Sequence, residues 1–520
     1  MEFQTLIRYT FLACSIGMLA ACSSANTGTG TTDTPTSTTI SGSIFASDVN
    51  GATVTAKKAA DGSTVGGPVM SNADGSYSMD ILDSDLASDL VFESSGGSFI
   101  DEETQTGTTA GALSAYVSGG SLASGDSVHV TPGTTIIADL VSKHGMTPTQ
   151  AQTAFFNAFA YNPDSSIDPV DPTDPASMNA DDASKHIGWR AAVFSRLTSN
   201  LGLTADKQFD LFTAMARDLS DGDLDGMDAS GSVDIGTTGS QVPATILDDY
   251  IASTGSFDTA EAANLVVTYT PAMMNVHGKN LFTLTVTDTG GTPLDSLTDL
   301  QVMPMMYMAD RMHATPMGGV TNLGNGDYQV TIYYLMPSRM MDGTTMGTWN
   351  LKVMTGMKSV HFYPNIDMAM MSNTVRVQLK GVADTIIDMD GLEVPRTYNL
   401  FRDDLVSVGA STYDFDIFIA PMETMTSFPA LVDGDTLASG MGGTPYDVNN
   451  IIVEASANGG GWKTGTTNDD GVWSFNALNL NSGANEIRVR LTVSGEIKTT
   501  NGLIADPDVN DFATFTVTLP

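Results

Sequence analysis

From Ile40 onward the chain alternates apolar and polar residues with a period of two. ISGSIFA (Ile40–Ala46), GATVTAKKA (Gly51–Ala59) and GSYSMDI (Gly75–Ile81) predict short strands separated by Gly, Asp and Asn turns. The far end uses the same pattern. Asp470-Gly471-Val472-Trp473-Ser474 repeats the Asp-Gly-x-aromatic-Ser order of Asp74-Gly75-Ser76-Tyr77-Ser78, and Ala484–Gly495 and Phe512–Leu519 alternate cleanly. An Asp-Gly turn followed by an inward aromatic is what a hairpin in a β-sandwich needs. Between these regions, over residues 131–255, the apolar period lengthens. Thr147-Pro148 opens one helix, Thr204 caps another over Ala205–Leu219, and Asp181–Leu201 carries Ile187, Ala191, Val193, Phe194, Leu197 and Leu201 at helical spacing. Those faces predict a small helical bundle inserted between β modules.

The N-terminus follows a different rule. Tyr9–Ala21 is apolar, follows Arg8 and is too short to span a bilayer, as in the core of a secretory signal. It ends in Leu19-Ala20-Ala21-Cys22, which resembles the lipobox of bacterial lipoproteins. The resemblance implies removal of residues 1–21 and acylation of Cys22. With Ser23 rather than Asp next, it implies an outer-membrane lipoprotein on the periplasmic or cell-surface face. Residues 22–39, rich in Ser, Thr and Gly, then form a lipidated flexible tether. The chain has two cysteines, Cys14 and Cys22, so the mature protein is expected to have neither free thiol nor disulfide.

Charge narrows the partners. Twenty-two Lys and Arg against 60 Asp and Glu give −38, which repels nucleic acid and favours solubility. Asp221-Gly222-Asp223-Leu224-Asp225-Gly226 matches the start of a calcium loop, but Ser232 stands where its bidentate Glu belongs, so a solvated helix terminus is expected there. Asp168–Pro175, alternating Asp with Pro, is expected to be a hydrated linker. None of the nucleophile-elbow, zinc-protease or phosphate-loop motifs occurs, and the six histidines are scattered. The chain is not expected to be an enzyme.

Methionine changes this picture. Seventeen of the 29 methionines lie between Met273 and Met371, together with His277, His313 and His361. Packing explains some of them, such as Met336 on the Val330–Ile332–Tyr334 face. It explains less of Val302–Met308 (VMPMMYM), where alternation sends Met303 and Met305 to one side of a strand and Met306 and Met308 to the other. Thioethers with imidazole suit Cu(I), need no deprotonation and cannot be oxidised to disulfides.

Two further resemblances bear on the modules. Gly51-Ala52-Thr53-Val54 followed by Asn72–Ser78 resembles the carboxypeptidase regulatory-like β-sandwich, a non-catalytic module. Met312-His313, Pro316, Gly326-Asp327-Tyr328, Met336 and Gly347-Thr348-Trp349 resemble the YtkA-like domain, an Ig-like module related in style to CopC-type copper carriers. That resemblance implies Met312, His313 and Met336 as ligands, and within the Met-rich surface Met312 and His313 are expected as the leading pair. Pro337–Met346 is inserted relative to the family pattern.

The resulting fold class is multidomain and mainly β: tandem Ig-like or transthyretin-like β-sandwiches with an inserted small helical bundle. The expected order is signal 1–21, tether 22–39, regulatory-like sandwich 40–130, helical domain 131–255, Met-rich sandwich 262–372 and C-terminal Ig-like region 373–520. Residues 373–440 cannot be assigned to a module from pattern alone. The expected function is a lipid-anchored envelope protein binding Cu(I) through Met303, Met305, Met306, Met308, Met312, His313, Met317, Met336, Met340, Met341 and Met346. The alternative is a non-metal interaction or structural lipoprotein that meets other envelope proteins through a Met-rich contact face.

Overall fold

In the computed structural model the described residues are 36–171, 177, 180–254, 259–262, 265–273, 275–309, 311–356, 358–370, 372–504 and 511–520. The signal, Cys22 and the tether up to residue 35 lie outside them, as do 172–175 of the acidic Pro-rich stretch. The chain is mainly β, a tandem of β-sandwiches with helices inserted after the first.

In the first sandwich the sheet Thr64–Met70, Thr53–Lys58, Leu90–Ser95, Leu113–Val117 faces the pair Ser37–Ser43 and Ser76–Leu82. The Asp-Gly phrase works as its pattern suggests. Gly75 takes φ +72°, Asp74 accepts the Ser76 N–H, and Tyr77 turns inward to donate its hydroxyl to the Val128 carbonyl.

Among the described residues five α-helices follow: α1 (Pro132–Ser142), α2 (Pro148–Phe159), α3 (Asp182–Asn200), α4 (Gln208–Asp218) and α5 (Ile246–Thr254). Thr147 caps α2 in a reciprocal box with Gln150, with Pro148 opening the helix. Thr204 behaves differently from expectation. Its hydroxyl donates to Asp206 rather than capping a backbone N–H, and a 3-10 turn (Ala205–Lys207) precedes α4. The apolar faces of α1 to α4 continue the core of the first sandwich. Ile40, Phe92 and Leu113 belong to the same buried cluster as Ile136, Phe155, Phe194 and Phe212.

The acidic stretches are put to structural use. Asp168, expected in a hydrated linker, is exposed but also accepts from Ser43 Oγ (3.0 Å) and pairs with His129 Nδ1 (3.0 Å), and Asp171 accepts from Ser47 Oγ. The hydrogen bond from His129 lowers the Asp168 pKa. After α4, the buried carboxylate of Asp218 gathers the N–H groups of Asp225, Gly226 and Met227, while Asp228 pairs with Arg217 at 2.6 Å. Burial pushes Asp218 up to about 6.

The middle sandwich sets the sheet Thr259–Ala262, Leu265–Pro271, Gly278–Thr287, Asp327–Tyr334, Met317–Gly324 against Met312–Ala314, Gln301–Tyr307, Thr348–Thr355, Lys358–Phe362. The C-terminal sandwich resolves the segment that pattern left unassigned. Arg376–Ile387, Glu393–Gly409 and Thr412–Pro421 pair in sequence and then with Val472–Asn479. Leu379, Leu400 and Ile417 thereby share a core with Trp473, Val489 and Phe515.

Helix α3 lies against the outer face of the second, four-stranded sheet of the middle sandwich. Trp189 stacks on Tyr363 (3.9 Å), His186 on Tyr307 (4.8 Å), and Lys352 pairs with Asp182 (2.8 Å). Arg190, 2% exposed, donates to Tyr250, Thr348 and the Ala160 carbonyl. His361 is buried here between Asn350 and Asp182, and burial pushes its pKa down to about 3 despite the nearby Asp182. It is therefore neutral in the folded protein, whereas the unfolded imidazole titrates near 6.5. Its contribution is complete above that value and is lost as pH falls towards 3, at about 1.4 kcal/mol per pH unit. His186, also held neutral by burial, acts in the same sense. Thermal melts should show this loss between about pH 7 and pH 5, with a shallower slope in His361→Gln. An unchanged slope in that variant would rule His361 out as a source.

Candidate metal and contact site

Alternation along Gln301–Tyr307 decides where its methionines go. Val302, Pro304 and Met306 turn inward, and Met303, Met305 and Tyr307 outward. Antiparallel pairing then places His313 directly across from Met306 on one side and Trp349 on the other. The inner face thus carries a row of His313, Met306 and Trp349. Met306 is fully buried and His313 is 3% exposed. The two imidazole nitrogens have different surroundings. Nδ1 donates to the Ala314 carbonyl at 2.8 Å, which assigns the lone pair to Nε2. Nε2 is buried without a hydrogen-bond partner among the described residues. Burial also lowers the His313 pKa, so the ring is neutral near pH 7 and its lone pair is free.

Trp349 fixes the geometry around the ring. Its indole meets His313 edge-on at 5.3 Å and donates Nε1–H to the Met336 carbonyl at 3.1 Å. Met308, Met317, Met336 and Met346 are partly buried and pack against the same core. A Cβ on Gly347 would collide with the Tyr307 carbonyl and touch the Met306 methyl at 3.3 Å, so Gly347 gives that thioether its room.

The other candidates go elsewhere. Met312 and His313 are neighbours on one strand and face opposite ways, so the leading pair expected from sequence is separated and Met306 takes the place beside the imidazole. Met340 and Met341 sit on an exposed turn closed by the Met340 N–H to Thr344 carbonyl bond. His277 and His361 are engaged away from His313, with the Ala369 N–H and with Asn350. Among the described residues no three His, Cys, Asp or Glu side chains converge in a metal-holding group, so any metal here relies on sulfur.

The outward methionines line a different feature. Met303, Met305 and Met312 floor an open groove of about 1100 Å³, which the half-buried Met317 also reaches, walled by Phe428 and Pro429 and with Asp181, Asp182 and Lys352 along it. The Ala314 N–H to Met425 carbonyl bond (2.8 Å) ties the Met-rich strand to that C-terminal wall. The roles of Trp349 and Phe428 were not singled out from sequence. Glycine-x-tryptophan marks the first, and nothing local marks the second.

No family model matches this chain, and none of the curated proteins searched matches it. Among solved structures it is similar to InvD of Yersinia pseudotuberculosis, at 16% identity over 49% of this chain and 57% of that one, with a TM-score of 0.15. The chain thus spans little more than half of InvD. It is also similar to the Escherichia coli adhesin FdeC, at 12% identity over 50% of this chain and 67% of that one, with a TM-score of 0.14. Domains 5-6 of the S-layer protein SbsC match at 15% identity over 49% of this chain and 99% of that one, with a TM-score of 0.15.

Proposed function

We propose that this is a lipid-anchored envelope protein whose middle sandwich binds Cu(I) through His313 Nε2 and the Met306 thioether, completed by sulfur from Met308, Met336 or Met346. The supporting observation is the buried, unpartnered Nε2 of His313, a residue paired directly across the strands with the buried Met306. An orphaned polar atom in a core costs about 1–3 kcal/mol, and a soft cation offsets that cost. The likeness to copper-carrier modules supports the same reading, with Met306 where Met312 was expected.

Titration of the full chain against a chromophoric Cu(I) chelator under reducing conditions tests it. Met306→Leu and His313→Leu should each weaken binding at least roughly tenfold, about 1.4 kcal/mol. Met303→Leu/Met305→Leu/Met312→Leu, confined to the outer face, should bind as the parent does. Each Met→Leu change should move stability by less than about 1.5 kcal/mol. If the outer variant loses copper and the inner ones retain it, the site is the groove and the inner assignment fails. If none binds, the groove remains as the contact face of an interaction protein, a reading supported by its apolar floor of thioethers facing Phe428.

The proposed anchor is acylated Cys22, in the outer membrane. Cys22→Ser should leave the protein unprocessed or soluble, and persistence in carbonate-washed membranes would refute it.

A further inference from the structure

The C-terminal sandwich holds a cluster of charges in its interior. The side chains of Lys498 and Asp384 are both 0% exposed, and Lys498 Nζ lies 3.1 Å from Asp384 Oδ2. The remaining contacts on this pair are specific. Glu496 Oε1 lies 2.8 Å from the same Nζ. Arg396 Nε donates to Asp384 Oδ1 at 2.8 Å, and the Tyr398 hydroxyl donates to Oδ2 at 2.5 Å. The rings of Tyr398 and Tyr446 flank the amine at 5.1 and 5.0 Å.

We propose that Lys498 and Asp384 are joined by a side-chain amide bond formed within the folded domain. In water such a condensation is blocked because the amine is protonated, the acid ionised and water abundant. Burial removes the last of these obstacles, and the direct Lys498–Asp384 contact lets a proton cross from ammonium to carboxylate at the moment of reaction. Fixed placement adds an effective molarity of roughly 10⁵–10⁸ M.

The steps balance. The ammonium proton of Lys498 passes to Asp384 Oδ2 across their contact, leaving an amine and a carboxylic acid. The nitrogen lone pair attacks Asp384 Cγ, and the carbonyl electron pair moves onto Oδ1, where the Arg396 guanidinium holds the negative charge. Glu496 takes the surplus proton from nitrogen and delivers it to Oδ2. The Cγ–Oδ2 bond breaks, water leaves and the Oδ1 pair reforms the carbonyl. Glu496 ends as it began, and no oxidant or cofactor is consumed. Arg396 Nη2, Glu423 Oε2 and Ser439 Oγ are three further buried polar atoms unpartnered among the described residues.

The bond would tie Arg376–Ile387, where this sandwich begins, to the segment after Glu496–Ile497, giving a cross-link in a region that contains no cysteine. Peptide mapping of the full-length protein by mass spectrometry decides the matter. Trypsin should fail to cut after an acylated Lys498, and a branched peptide should contain the Asp384 and Lys498 segments, one water lighter than their sum. Lys498→Arg retains the positive charge and should yield only linear peptides. Glu496→Gln should lower the branched yield several-fold while Lys498 and Asp384 remain. Recovery from the folded wild-type protein of only linear peptides with unmodified Lys498 and Asp384 would overturn the proposal. The cluster would then be a buried ion-pair network.

Discussion

Trp349→Ala is expected to cost the middle sandwich about 3–5 kcal/mol, the range for truncating a large buried aromatic. Trp349 is fully buried, packs edge-on against Tyr334 at 4.8 Å and against His313, and donates to the Met336 carbonyl. Alanine would leave a cavity between the two sheets and an unpaired carbonyl. Trp349→Phe fills much of the space but still orphans that carbonyl, so about 1–2 kcal/mol is expected. Urea unfolding measured on both variants separates the two contributions. A loss below about 1 kcal/mol for alanine would mean the sheets close over the gap, contrary to the packing described.

Arg396→Ala should destabilise the C-terminal sandwich by a comparable amount, about 3–5 kcal/mol. The guanidinium is fully buried, bonds Asp384 and Glu423, and donates to the Ala438 carbonyl. Its removal strands Glu423 in a site that water does not reach, while Asp384 loses one partner and keeps Lys498 and Tyr398. Burial already raises the Glu423 pKa, although Arg396 opposes the shift, so removing Arg396 should raise it further. Stability of Arg396→Ala should accordingly recover in part as pH is lowered towards about 5, where a protonated carboxyl costs less to bury. Arg396→Lys should not restore the parent, because an ammonium cannot reproduce the forked contacts. Full recovery with lysine would show that charge alone matters here.

The alternation around Met303–Tyr307 was enough to sort inward from outward methionines, because a strand's two faces follow from counting. It did not disclose which methionine meets His313. That depends on cross-strand register, set by the short turn in which the Met308 N–H bonds the Arg311 carbonyl. Helix α2 was legible from Thr147, Pro148 and its spacing. Helix α1 was not, since nine of its eleven residues are buried and an all-round buried helix has no polar face to mark its period. Lys498 and Asp384 are 114 positions apart in a chain with 60 acids, so their contact had no local signature. The partners of Asp168 were hidden for a related reason. Proline-flanked aspartates have a hydrated composition, and only folding brings Ser43 and His129 to meet this one.

The buried cluster that runs without interruption from the first sandwich into α1–α4 limits how this protein can evolve. Tandem β modules usually diverge by duplication, deletion and swapping, because each domain closes its own interior. Here excision of the helices would expose Phe92 and Leu113, and loss of the first sandwich would expose Ile136 and Phe155. The two segments can therefore be inherited only as a block. The C-terminal sandwich encloses its own interior but also shares a smaller buried cluster with the middle one, where Tyr333 and Leu335 meet Phe401 and Phe418, so a cut there exposes less.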